Sequence, residues 1–211
     1  MTRRVIDKET LMTDEIATDF TASLPPWLVD ELDRIAAEPP ATTEARIAVV
    51  NRLADRNWRE GNGGPFAAMV VDAASGAVVS VGVNVVVQSN LSAMHAEMMA
   101  LSLAQAALGR WDLGAHGAEY ELVVNWRPCV MCYGATMWSG VRALTIAGEG
   151  SEVERLTGFD EGPMPPDWKG EFERRGIRVS VGVGHDDALE VFRAFGESDA
   201  VVYNARGSSE E

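Results

Sequence analysis

The sequence holds only two cysteines, and they stand three apart in Pro128-Cys129-Val130-Met131-Cys132. Upstream lies the triplet His95-Ala96-Glu97. The cysteine spacing lets both sulfurs reach one metal from a single helical turn, and the His95 imidazole completes a three-ligand set for zinc. Three protein ligands leave a fourth position for water, the hydrolytic arrangement, whereas a structural zinc takes four protein ligands. Such a site joins two segments far apart in the chain. No other feature constrains the fold as much.

Apolar periodicity places His95 near the start of one helix, and Cys129 and Cys132 near the start of another. Backbone N–H groups at helix starts favour negative charge and help hold both cysteines as thiolates. Pro128 suits the first turn or its approach, where a missing N–H costs little. Glu97 is two residues past His95 and is free of ligand duty. A carboxylate there can take a proton from water and pass it to a ring nitrogen and then to a leaving amine. Taken alone, Cys-x-x-Cys reads equally as a redox pair or half of a zinc knuckle. A redox pair has no use for His-Ala-Glu, however, and a knuckle finds no fourth ligand here. His116 and His185 fall in less patterned stretches and read as solvated.

The chain has 211 residues, 46% of them hydrophobic, enough for one domain with a real core. Its formal net charge is −14, and no Lys/Arg cluster exceeds Arg3-Arg4 or Arg174-Arg175. A polyanion without a basic stripe is poorly suited to gripping phosphate backbones, so the substrate is read as a free small molecule, not a nucleic acid. No apolar run is long enough to span a bilayer, and the N-terminal residues lack a signal peptide's apolar stretch. The expected setting is the reducing cytoplasm, where thiolates stay available for metal.

Residues 1–24 read as a flexible N-terminal arm, and 25–206 as the catalytic domain. Pro25-Pro26 opens a short helix with Leu28, Leu32 and Ile35 at helical spacing. Thr42 or Thr43 caps a longer one with the stripe Ile47, Val50, Ala54 and Trp58. Residues 66–73 and 77–87 read as a valine-rich hairpin turning at Ala74-Ser75-Gly76. A mostly apolar helix from about Ala93 to Leu108, strand 120–126, a helix to about Ser139 and strand Val141–Ala147 follow. The remainder reads as a helix at Ser151–Leu156, one near Asp167–Arg175, strand Ile177–Val183 and a final helix marked by Leu189, Phe192 and Phe195. Strands alternating with helices imply an α/β fold, its mixed or parallel sheet covered on both faces.

At the metal motif the chain resembles the cytidine deaminase superfamily, whose base deaminases carry H-x-E…P-C-x-x-C. More narrowly it resembles bacterial guanine deaminases built on that fold. The likeness runs from about Pro26 to Arg206, through Gly64-Pro65-Phe66-Ala67-Ala68, Asn84, His95-Ala96-Glu97, Pro128-Cys-Val-Met-Cys132 and Trp138-Ser-Gly-Val-Arg142. Gly158-Phe-Asp-Glu-Gly-Pro163 and Tyr203-Asn-Ala-Arg206 point to the guanine branch. The resemblance implies a three-layer α/β/α sandwich around a five-stranded mixed sheet, Zn2+ on His95, Cys129 and Cys132, and a homodimer. It implies that Glu97 and Glu161 are catalytic. It further implies that Phe66, Asn84, Trp138, Asp160 and Tyr203 bind substrate, with Phe66 and Trp138 as aromatic walls and Tyr203 closing the pocket. In this branch the residue before Pro-Cys is commonly glutamate; here it is Arg127, after Trp126.

The implied reaction is hydrolytic deamination of guanine to xanthine and ammonia. The alternatives are another amino-heterocycle (a pterin, an aminotriazine or a cytosine derivative), a tRNA adenosine deaminase, and a non-catalytic zinc-binding module. The acidity of the chain speaks against the tRNA enzyme, and Glu97 against the inert module.

Overall fold

A computed structural model describes residues 16–204. The first fifteen residues of the expected arm, and Arg206, lie outside them, and residues 16–24 form no helix or strand. Helix α1 (Pro26–Ala37) starts with proline in its first turn, and α2 (Thr43–Arg59) is capped by Thr42, whose Oγ1 accepts from the Ala45 N–H at 3.2 Å. Strands β1 (Ala67–Asp72) and β2 (Val78–Val83) form the hairpin.

After the four-residue α3 (Val86–Ser89) come α4 (Ala96–Leu108), β3 (Tyr120–Val124), α5 (Val130–Ser139) and β4 (Ala143–Ile146). The chain continues as α6 (Glu152–Thr157), α7 (Trp168–Glu173), β5 (Arg178–Val181) and α8 (His185–Gly196).

The five strands lie in the order β2-β1-β3-β4-β5, antiparallel on either side of β1 and parallel from β3 to β5. Side chains alternate across the sheet, so β1, β2 and β3 each feed two cores. Met69, Val71, Val81 and Val83 pack with Leu28, Ile47, Val50 and Phe192 of α1, α2 and α8. Ala68, Val70, Leu122, Leu144 and Ile146 pack with Ala100, Ala104, Tyr133 and Phe172 of α4, α5 and α7. The expected α/β/α sandwich with a five-stranded mixed sheet is therefore present. Arg46 ties α2 to the sheet through Glu121 Oε2 at 2.7 Å, while Thr145 Oγ1 donates to Glu121 Oε1 at 2.6 Å.

Three local expectations change. The valine run does not stay extended to residue 87. Asn84 Oδ1 accepts from the Val86 N–H at 3.2 Å, and this local bond turns the chain into α3. The helix expected from Ala93 begins at Ala96, because His95 keeps extended backbone (φ −69°, ψ 163°) as its cap. His185 opens α8 instead of lying in a loop, and its ring packs on Trp126 with centroids 5.4 Å apart. Gly82 has a specific reason to be glycine. A Cβ there would run into the Ala96 carbonyl and the Ala100 amide, so its absence lets the first turn of α4 lie directly on β2.

Candidate active site

β2, β3 and β4 end, and β1 begins, at one end of the sheet, and the motif residues gather there. His95 is the N-cap residue of α4 and Cys129 that of α5. The first turns of both helices therefore begin beside the cluster. His95 Nδ1 is 3.5 Å from Cys129 Sγ, and the ligand atoms of His95, Cys129 and Cys132 all lie within 4.8 Å of one another. Zn–S near 2.3 Å and Zn–N near 2.0–2.1 Å at a tetrahedral angle place nitrogen and sulfur about 3.5 Å apart. The donor set and its spacing fit zinc, and no disulfide joins the cysteines.

The two thiols are unequal. A hydrogen bond from Cys132, opposed by burial and helped by His95, holds Cys129 down at about 4. The same bond and burial push Cys132 well above the usual thiol range. Burial disfavours a charged His95, but Cys129 and Glu97 outweigh it and raise the imidazole. Glu97, on the first turn of α4, is 5% exposed; burial and the Cys129 charge push its carboxyl up to about 7. Glu161 is 8% exposed, and burial, Cys129 and Glu97 push it up to about 8. Two carboxyls poised near neutrality beside a ligand cluster suit proton transfer.

The cluster opens into a cavity of about 400 Å3 bordered by Phe66, His95, Cys129, Glu161 and Tyr203. A narrow inner recess continues past Phe66 to Glu97, Trp126 and Arg127. Phe66 packs edge-on against Phe159, with centroids 5.6 Å apart. Tyr203 stacks at a tilt on Phe159 at 4.7 Å and sits 6.5 Å from the His95 ring, so the C-terminal segment covers its own chain's cavity. Gly64 makes this possible: a Cβ there would come within 2.9 Å of the Tyr203 hydroxyl.

Asn84 is fully buried, but its amide is half committed. Its Oδ1 accepts from the N–H groups of Gly64 at 3.3 Å and Val86 at 3.2 Å, leaving Nδ2 as a buried donor with no protein acceptor. Only the donor end of the amide is left for a base edge. Asp160 borders the cavity, yet its Oδ1 accepts from the Gly162 N–H at 2.8 Å and shapes the loop. Trp138 is 85% exposed, on the last turn of α5, and borders no part of this cavity. Within this single chain the Trp138 ring stands apart from the aromatic wall that Phe66 joins.

Two contributors, Phe159 and Asn125, escaped the sequence reading, and a third, Arg127, stood out there only as a departure from the resembled branch. Phe159 joins Phe66 and Tyr203 in one aromatic group, although only its motif stood out. Arg127 lines the recess with a buried Nε that finds no acceptor. Asn125 secures the entry to β1, accepting from the Ala67 N–H at 3.2 Å and donating to the Pro65 carbonyl at 2.9 Å. A buried asparagine after a strand was the only local hint.

Known proteins are similar to this chain in sequence and fold. A solved guanine deaminase from Nitrosomonas europaea is 42% identical over 87% of this chain and 100% of its own, with a TM-score of 0.78. The protein NE0047, solved in complex with 2,6-diaminopurine, is 46% identical over 87% of this chain and 96% of its own, with a TM-score of 0.77. Guanine deaminase of Bacillus subtilis is 35% identical over 109 residues, which are 52% of this chain and 65% of that protein. The match therefore spans slightly less than two thirds of the Bacillus protein. Residues 41–147, which carry His95, Glu97, Cys129 and Cys132, match the cytidine and deoxycytidylate deaminase zinc-binding region. With that match over half its length and the ligand cluster in place, the chain belongs to the cytidine and deoxycytidylate deaminase zinc-binding family.

Proposed function

We propose that this chain catalyses the hydrolytic deamination of guanine, converting guanine and water to xanthine and ammonia. The observation that carries the reading is the His95–Cys129–Cys132 cluster opening on an aromatic-walled cavity with Glu97 at its inner end. His95, Cys129 and Cys132 would hold zinc, which when bound would supply Lewis acidity and make water reactive near neutral pH. Glu97 accepts one proton from the attacking water and delivers it to the ring nitrogen; it then takes the second proton from the hydroxyl added to the ring carbon and gives it to the departing amine, leaving a carbonyl and ammonia. Glu161 borders the cavity and assists by hydrogen bonding the base. Arg127 Nε, a buried donor on the recess without a protein acceptor, favours a heterocycle rich in carbonyl and ring-nitrogen acceptors; Asn84 is read as meeting the base edge through Nδ2, although it borders neither the cavity nor the recess. Phe66 packs on the flat ring. Tyr203 over the cavity leaves little room for a ribose and disfavours nucleosides.

The test is kcat/KM from ammonia release across guanine, guanosine, adenine, cytosine, cytidine, a pterin and an aminotriazine. Guanine is expected to rank first. Sites that hydrogen-bond a substrate in buried surroundings reject analogues lacking its groups by roughly 10⁴-fold or more. A pterin or triazine ranking clearly above guanine would leave a deaminase but remove guanine as its substrate.

The same proposal includes a homodimer and a reducing, cytoplasmic setting that keeps both thiols available. No helix of the described residues is long and apolar enough to cross a membrane. Val130–Ser139 carries no charge in a chain of net charge −14, so the outer face of α5 is where two like-charged copies meet with least repulsion. Exposed Trp138 lies on that helix. Trp138→Glu is expected to convert dimer to monomer in sedimentation velocity. An unchanged sedimentation coefficient would place the contact elsewhere.

A further inference from the structure

We propose that Asn204 is a positioning residue, whose side-chain amide locks the C-terminal segment onto the loop that carries Glu161. Both ends of the amide engage one short stretch of backbone. Asn204 Oδ1 accepts from the Asp160 N–H at 2.9 Å, and Nδ2 donates to the Gly158 carbonyl at 2.8 Å. These opposite demands fix which end of the amide points where. The adjacent Tyr203 packs on Phe159, the residue between the two bonded ones.

Beyond the Phe159 ring, buried against Phe66 and Phe195, and the Gly158 N–H on the Glu154 carbonyl, the loop has three further ties. Thr157 Oγ1 accepts from the Phe159 N–H at 3.2 Å, Asp160 Oδ1 from the Gly162 N–H at 2.8 Å, and the Glu161 carbonyl from the Val130 N–H at 3.0 Å. The first two are local bonds that shape the turn without anchoring it. The third fixes Glu161 to the start of α5, beside Cys129. Asn204 supplies the other hydrogen-bonded anchor of the backbone, just before Glu161 and beside the buried Phe159 ring. Covering the cavity and placing the carboxyl are therefore one event: when the C-terminal segment is seated, the Asp160–Glu161 backbone is held from both sides. This inference rests on the proposed role of Glu161 at the base.

Asn204 is half-buried, belongs to neither hydrophobic core and lies close to the chain's end, so replacing it should leave the core intact. Asn204→Ala is expected to lower kcat for guanine by roughly ten- to a hundredfold, the scale of about 1 Å of misplacement, with a smaller change in KM. Thermal midpoint and zinc content should stay at wild-type values. Hydrogen exchange at the Asp160 amide should speed up. Asn204→Gln, which keeps donor and acceptor, should recover part of the loss, whereas Asn204→Asp, which offers no donor to the Gly158 carbonyl, should not.

A double-mutant cycle with Glu161→Gln separates the two readings. The expected result is that Asn204→Ala costs little more once Glu161 is already Gln. If Glu161→Gln lowers kcat but the two losses simply multiply, the clamp is overturned while Glu161 keeps its role. If Glu161→Gln itself leaves kcat unchanged, the role of Glu161 falls and the inference falls with it. Wild-type kcat in Asn204→Ala would overturn the clamp alone.

Discussion

Replacing Glu97 by glutamine is expected to leave zinc content and fold intact while lowering turnover by roughly 10²–10⁴-fold, the contribution of a positioned general acid–base group. Glu97 is 5% exposed at the inner end of the cavity, and the amide fills the same volume. Packing thus changes little, and the loss is chemical. With burial and Cys129 pushing its carboxyl up to about 7, Glu97 is near the balance point for taking a proton and giving it back. Glutamine does neither. Turnover within a few-fold of wild type, in protein that still holds one zinc, would remove Glu97 from the mechanism.

Removing a ligand should be equally severe but leave a different signature. Cys132→Ala is expected to lose both zinc and turnover, because His95 and Cys129 alone are a poor site for an ion that takes three or four protein ligands. Cys132 is fully buried one turn into α5, and its hydrogen bond holds Cys129 down at about 4. The variant should therefore also show a less acidic Cys129. Elemental analysis separates the two variants: Glu97→Gln without turnover but with zinc, Cys132→Ala without either. Full zinc occupancy in Cys132→Ala would mean that the ligand set is wrong.

Much of the site was legible in the sequence because its chemistry is local. Cys-x-x-Cys on one helical turn and His-x-Glu at a helix start specify ligands and proton carrier by spacing alone, and the structure brings these four residues together. The strand and helix order was legible for a similar reason: valine-rich runs and helical stripes state their own period. The direction in which a side chain points was not. Val130–Ser139 is apolar all round, so no polar face in the sequence says that Trp138 turns outward. The valine run through residue 87 hid α3, because the turn there depends on a side-chain bond from Asn84. Asn204 reaches back more than forty residues, and nothing near it in sequence announces that partner.

The central claim is that three side chains of this one chain hold the zinc that makes it a guanine deaminase. It is tested most directly by stripping the protein with a chelator and returning zinc in measured steps, with ammonia and xanthine followed from guanine. Turnover is expected to be absent at first, to rise in proportion to added zinc, and to level at about one equivalent per chain. Full turnover in the metal-free protein, or a fully zinc-loaded protein that releases no ammonia from guanine, would contradict it.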